Sequence, residues 1–255
     1  MFPRCVLFCF IVVHGICSQN DLEKGITYYN QRLEGSVKSS AKPEPITNAI
    51  NNFQYALKNA ATETDAALYL LKSYYFRGKY VHKDKEKQKF DFSKGKELGE
   101  KYINKYPDSA PFQFWYLVNL GSWSEVYGII TAAREGVAEI MKEHSEIIIS
   151  LDPEYENGGG YFMLGAVHFK SPYIPFLLSW PDNDDAIKYL TKALNIGEAT
   201  PNQKIYLAQA MYKDGQKSYA IDMLKEVANM QPSVEEIVRD WEQIELAEQL
   251  LSEYR

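Results

Sequence analysis

The chain has 255 residues, 14 % of them aromatic with 19 tyrosines, and a formal net charge of −6. Its pI near 5.4 argues against a nucleic-acid surface, which carries a basic stripe, and against a polybasic membrane patch. Beyond the N-terminus, no stretch approaches the roughly 20 apolar residues of a spanning helix.

Met1–Arg4 carries one cationic side chain, Cys5–Val13 is an unbroken apolar run, and Gly15-Ile16-Cys17 precedes polar Ser18-Gln19-Asn20-Asp21. This is the layout of a secretory signal peptide, so residues 1–18 are set apart and 19–255 are read as one helical-repeat domain. Lipid attachment at Cys17 is an alternative, although His14 and Ile16 stand where that signal prefers an aliphatic and a small residue. Cys5, Cys9 and Cys17 are the three cysteines, so the mature chain offers neither disulfides nor thiolate ligands. The compartment expected for a bacterial source is the periplasm.

In chain order, Leu22, Ile26, Tyr29 and Leu33 have helical spacing, and the Ser/Lys/Pro-rich Gly35–Pro45 reads as a loop. A helix follows from Ile46, and Thr62-Glu63-Thr64-Asp65 starts the next. Arg77–Lys89 reads as a charged, solvated connector or a fraying helix extension, Phe92–Tyr106 as a helix, and Phe112–Ser124 as an aromatic segment. Val126–Ser150 reads as one long tract, and Gly158-Gly159-Gly160 opens a helix to Lys170. Prolines 172, 175 and 181 exclude a single helix over 171–185. Ala186–Ile196, Asn202–Asp214 and Lys217–Met230 are helices. Ser233–Glu253 closes the chain as a cap on the last repeat, with an apolar face of Val234, Ile237, Trp241, Ile244, Ala247 and Leu251.

Aligned on their ends, the second helices of successive pairs put Ala49, Gly95, Met141, Ala186 and Ala220 in one slot, at intervals of 46, 46, 45 and 34. Four residues on stand Phe53, Gly99, Ser145, Leu190 and Leu224; seven on stand Ala56, Tyr102, Ile148, Ala193 and Val227. The last interval is the tetratricopeptide length of about 34, while the others carry roughly a dozen extra residues, mostly inside a pair. A HEAT-like period of about 40–47 is the alternative; Pro107, Pro153 and Pro232, each ending a second helix, favour the tetratricopeptide pattern. The expected fold is an all-α tetratricopeptide-like solenoid with extended inter-helix insertions and a C-terminal capping helix.

Phe114-Trp115-Tyr116 followed by Asn119-Leu120-Gly121 and Glu125, and Gly159-Gly160-Tyr161 with Leu164-Gly165 leading to Pro172–Pro175 and Asp185-Ala186, resemble the T-component of TRAP transporters (tripartite ATP-independent periplasmic transporters). The resemblance covers about Pro107 to the end and is weaker before it. It implies a periplasmic helical-repeat protein that assembles as an oligomer such as a trimer. Its implied partner is the solute-binding P-component, and it implies a cavity for a hydrophobic or carboxylate ligand. A general secreted tetratricopeptide scaffold that binds peptides or proteins is the alternative.

With Ser73, Asn119, Gly165 and Ala208 in the small-residue slot of the first helices, the expected groove face holds Tyr74 and Arg77; Gln113 and Tyr116; Phe162, Phe169 and Lys170; and Gln209, Tyr212 and Lys213. Aromatic faces with cations at one end suit an organic acid or a peptide carboxylate. The alternative is that the aromatics pack between helices while the cations reach water. Neither metal nor cofactor is expected. His82, His144 and His168 lack ligand spacing, and the triple glycine lacks the strand and downstream acid of a dinucleotide site. No acid/base constellation supports catalysis, so no enzymatic activity is expected.

Overall fold

The computed structural model describes residues 20–172 and 178–254. The expected signal segment and Cys17, and Tyr173, Pro175 and Phe176 of the proline-rich connection, lie outside them. Twelve α-helices are present in the described residues: α1 (20–30), α2 (Pro43–Ala56), α3 (Glu63–Phe76), α4 (Lys85–Lys105), α5 (Ala110–Tyr127), α6 (Ile129–Arg134), α7 (Val137–Leu151), α8 (Tyr155–Lys170), α9 (Asn183–Leu194), α10 (Pro201–Lys213), α11 (Lys217–Ala228) and α12 (Ile237–Glu253). They form five pairs, α1–α2, α3–α4, α5–α7, α8–α9 and α10–α11, followed by α12.

Local chemistry sets several starts. Thr200 and Gln203 form a reciprocal capping box in front of Pro201, which needs no intrahelical N–H bond in the first turn. Asp182 caps α9 by accepting from the N–H groups of Asp184 and Asp185, and Asp84 caps α4 through Lys87 N–H. Packing follows the repeat register. All fifteen residues of the three aligned second-helix slots are buried, and Ser73, Asn119, Gly165 and Ala208 are buried on the first helices. Gly165 shows why the slot is small: a Cβ there would lie 2.6 Å from Leu190 Cγ and 2.9 Å from its backbone nitrogen.

Besides the closing helix, which starts at Ile237 instead of Ser233 and leaves Val234 exposed, four boundaries differ from the sequence expectation. The Gly35–Pro45 loop ends early because Pro43, free of any N–H requirement, starts α2. The Val126–Ser150 tract is three pieces, since Gly128 (φ 90°) and Gly136 (φ 64°) leave the right-handed region. Before the triple glycine completes α8, Glu156, Asn157 and Gly158 are left-handed, so the chain kinks there. The fourth difference is the largest. The expected solvated connector begins with a π-helical turn, Arg77–Val81, closed by His82 N–H donating to Arg77 O at 3.0 Å. Arg77 donates to the fully buried Asp91 through Nε (2.9 Å) and Nη2 (2.5 Å), with His82 Nε2 at 3.4 Å from the same carboxylate. A buried carboxylate needs such partners, which is why this basic segment folds inward.

The final helix does more than cap α11. One side, with Ala247 and Leu250, packs in the cluster of Ile205, Ala208, Ala220 and Leu224. Its N-terminal half returns to the first two pairs: Val238 joins the core of Ile46, Ile50 and Leu70, Glu242 meets Lys79 and Tyr80, and Glu245 meets Lys38 and Ser39. The solenoid therefore closes on itself as a ring.

Candidate ligand cavity

The ring surrounds a cavity of about 470 Å³, within the usual range of small-molecule sites. Its walls come from α3, α5, α7, α8, α10 and α12, and also from each of the three insertions. The π-turn supplies Lys79 and Tyr80, α6 supplies Ile129, Ala132 and Ala133, and the α8–α9 connection supplies Ser171, Pro172 and Leu178. Each insertion that distinguishes these pairs from α10–α11 thus gives some of its described residues to the wall.

The lining combines apolar Val118, Val137, Met141, Met163, Val167 and Leu178 with polar and charged Tyr75, Lys79, Tyr206, Arg239, Glu242 and Gln243. Lys79 Nζ lies 2.9 Å from Glu242 Oε1, while Tyr80 O–H and Gln243 Nε2 donate to Glu242 Oε2 at 3.3 and 3.2 Å. Arg239 Nε pairs with Glu236 at 3.3 Å. Burial alone would lower the Lys79 pKa, but Glu242, Tyr75 and Glu125 outweigh it and hold the ammonium above its usual value. Burial, then Glu125, pushes the Tyr206 hydroxyl well above the ordinary tyrosine range.

No family model matches the sequence, and no curated protein does. Among solved structures, the chain is similar to a thermophilic TPR protein of Thermus thermophilus, at 16 % identity and a TM-score of 0.59. The match covers 90 % of this chain and 99 % of that one. The fold is thus an all-α helical repeat of the tetratricopeptide kind. At this identity the likeness speaks for the fold alone.

Of the ten expected groove residues, Phe162 and Lys170 line the cavity and the other eight do not. Tyr74 is buried and accepts from Gln54 Nε2 at 2.9 Å; Arg77 is engaged with Asp91. Gln113 is buried between His144 Nδ1 (2.6 Å) and Pro107 O (2.7 Å), and Tyr116 is buried with its ring edge-on to His144. Phe169 packs edge-on to Tyr206, and Tyr212 stacks on Tyr254. Gln209 turns back to Ile205 O (3.4 Å), and Lys213 lies over the Phe169 ring. On α3 and α5 the cause is one residue of helical rotation, about 100°. Tyr75 lines the cavity where Tyr74 was expected, and on α5 the lining residues include Leu117, Val118 and Gly121. On α10 the lining residues are Asn202, Gln203 and Tyr206, the last about a turn before Gln209.

The other notable residues are structural. His168 is buried at the seam, with Nδ1 accepting Asp182 N–H at 3.2 Å and its ring edge-on to Trp180. Gly159 lies against the Phe114 ring and Gly160 against Ile148 and Ile149, so the triple glycine serves close packing.

Proposed function

We propose that the protein is an exported, non-enzymatic accessory binding protein of the T-component kind, acting beside a TRAP uptake system. It would hold a small ligand with a large apolar part and dock a periplasmic solute-binding protein, with oligomers such as a trimer as the assembled form. The carrying observation is the closed ring: inserted segments of three repeat pairs, which a plain scaffold lacks, form walls of one 470 Å³ cavity. The motifs at Phe114–Glu125 and Gly159–Gly165 support the family reading, and Phe114, Gly121, Glu125, Gly159 and Phe162 stand on that cavity's wall.

Pull-down with a co-expressed TRAP solute-binding protein tests the partner, and native mass spectrometry of the exported protein reports maturation, stoichiometry and a retained small molecule together. The proposal expects a complex at micromolar concentration. Failure of the complex, together with an empty cavity and capture of unstructured peptides, would leave a general tetratricopeptide scaffold.

A further inference from the structure

The cavity's charges are unevenly committed, and this bears on the chemical class of its ligand. The inference rests on the ligand-cavity reading above. Among the described residues three cations line the space; two are ion-paired and the third lies over aromatic rings. Lys79 is paired with Glu242 at 2.9 Å, and Arg239 with Glu236 at 3.3 Å. Lys170 Nζ lies 5.2 Å from the centre of the Tyr206 ring and 5.5 Å from that of Phe169. Of the three lining carboxylates, Glu242 is occupied by Lys79, Tyr80 and Gln243. Glu125 and Glu156 make no hydrogen bond or ion pair among the described residues.

The surrounding field agrees in sign. Lys79 is half-buried, which disfavours its charge, yet the neighbouring carboxylates keep it more firmly protonated than a free lysine. An incoming anion would face Glu125 and Glu156 and would compete with Glu242 for Lys79. An incoming ammonium meets two carboxylates that make no direct ion pair, although Glu125 acts on Lys79 and Glu156 on Lys72 and Arg239 at longer range, and the aromatic rings of Tyr75, Trp115, Phe162 and Tyr206, whose faces attract cations. Lys170 already shows that contact from within the chain. The support for an organic acid loses two of its three cations at the same time: Arg77 is spent on Asp91 and Lys213 lies off the cavity, which leaves Lys170 on the wall.

The geometry points to an amphiphilic amine as the ligand class, its ammonium held by Glu125 or Glu156 beside the aromatic rings and its hydrocarbon part against Val118, Met141, Met163, Val167 and Leu178.

Three probes of one chain length separate head from tail: decylammonium, decanoate and decanol, each titrated calorimetrically into the full mature chain at pH 7 below its aggregation concentration. The expected order is decylammonium tightest, with at least about a tenfold advantage over decanoate. Glu125→Gln or Glu156→Gln should reduce that advantage severalfold while leaving decanol affinity unchanged. Both side chains are solvent-accessible and unbonded, so the variants should fold, and circular dichroism melting checks this. Decanoate binding as tightly as decylammonium would overturn the amine inference and leave the ligand cavity standing. Binding of none of the three would overturn the cavity reading as well.

Discussion

The pair α10–α11 and the three pairs before it share one packing register and differ in what they do with the turn between their helices. In α10–α11 the turn is short, running over Asp214, Gly215 and Gln216, and α11 contributes nothing to the cavity. In α3–α4, α5–α7 and α8–α9 the corresponding slot is filled by Gly95, Met141 and Ala186, yet residues of the π-turn, of α6 and of the described ends of the proline-rich connection face the cavity. Repeat packing and site construction are thus separable. Helix pairs stack through buried small residues whatever joins them, and the joining segments are free to build a wall. The inserted segments need their own anchors for this, of a kind the plain pair lacks: Arg77–Asp91, the Lys79–Glu242 contact and His168–Asp182.

Breaking the deepest anchor should have the largest effect. Asp91→Ala strands Arg77 in a mostly buried setting, and loss of one partner of a buried pair costs about 3–5 kcal/mol. Urea unfolding should show it, and an effect below about 1 kcal/mol would mean the π-turn is held by something else. The shared core comes next. Gly165→Val crowds Leu190 and should cost about 1–3 kcal/mol, whereas Ala208→Gly at the same slot of the plain pair should cost about 1 kcal/mol through helix propensity. A Gly165→Val cost well below about 1 kcal/mol would mean that Leu190 yields and that the slot is not tight.

The third anchor should titrate. Burial holds the His168 pKa below the ordinary histidine value, and its Nδ1 acts as an acceptor, so the folded state favours the neutral ring. A depressed histidine pKa contributes stability that is present above the unfolded value of about 6.5 and is lost as pH falls through the folded value. Denaturant midpoints should therefore drop on going from pH 7.5 to pH 5, by a step equivalent to about 1 kcal/mol that His168→Gln diminishes. His82 and His144 are lowered by burial as well and should account for the remaining drop. The smallest stability effect should come from Glu242→Gln. Its ion pair with Lys79 is part-exposed, so the loss should stay near 1 kcal/mol or below, while binding in the cavity changes more.

The helix pairs were legible because their signals are local. A slot residue, its neighbours four and seven positions on, and a closing proline lie within a dozen residues, and the structure buries the slot residues in every pair. The face turned to the cavity was harder. All-round burial on α5 hides its orientation: Phe112, Gln113, Trp115, Tyr116, Leu117, Asn119 and Leu120 are all covered, so no polar stripe marks one side. On α3, an error of one residue moves the expected site from Tyr75 to Tyr74. Lys79 was hidden in a basic run that looked solvated, because its partner Glu242 lies 163 positions away on α12. Arg239 and Glu242 likewise sit on the charged side of a helix whose apolar stripe marked it as a cap. Ring closure depends on such distant pairs, and spacing within one segment carries no trace of them.

The central claim is that α12 returns to the first repeats and closes the ring, and with it the cavity. The mature chain expected from the sequence is free of cysteine, so nitroxide labels can be placed at Val37→Cys and Glu248→Cys, two exposed positions flanking the Ser39–Glu245 contact. Pulsed electron–electron resonance should give a single, short and narrow distance distribution in the unliganded protein. A long or broad distribution would mean an open solenoid whose ends do not meet, and would contradict the account.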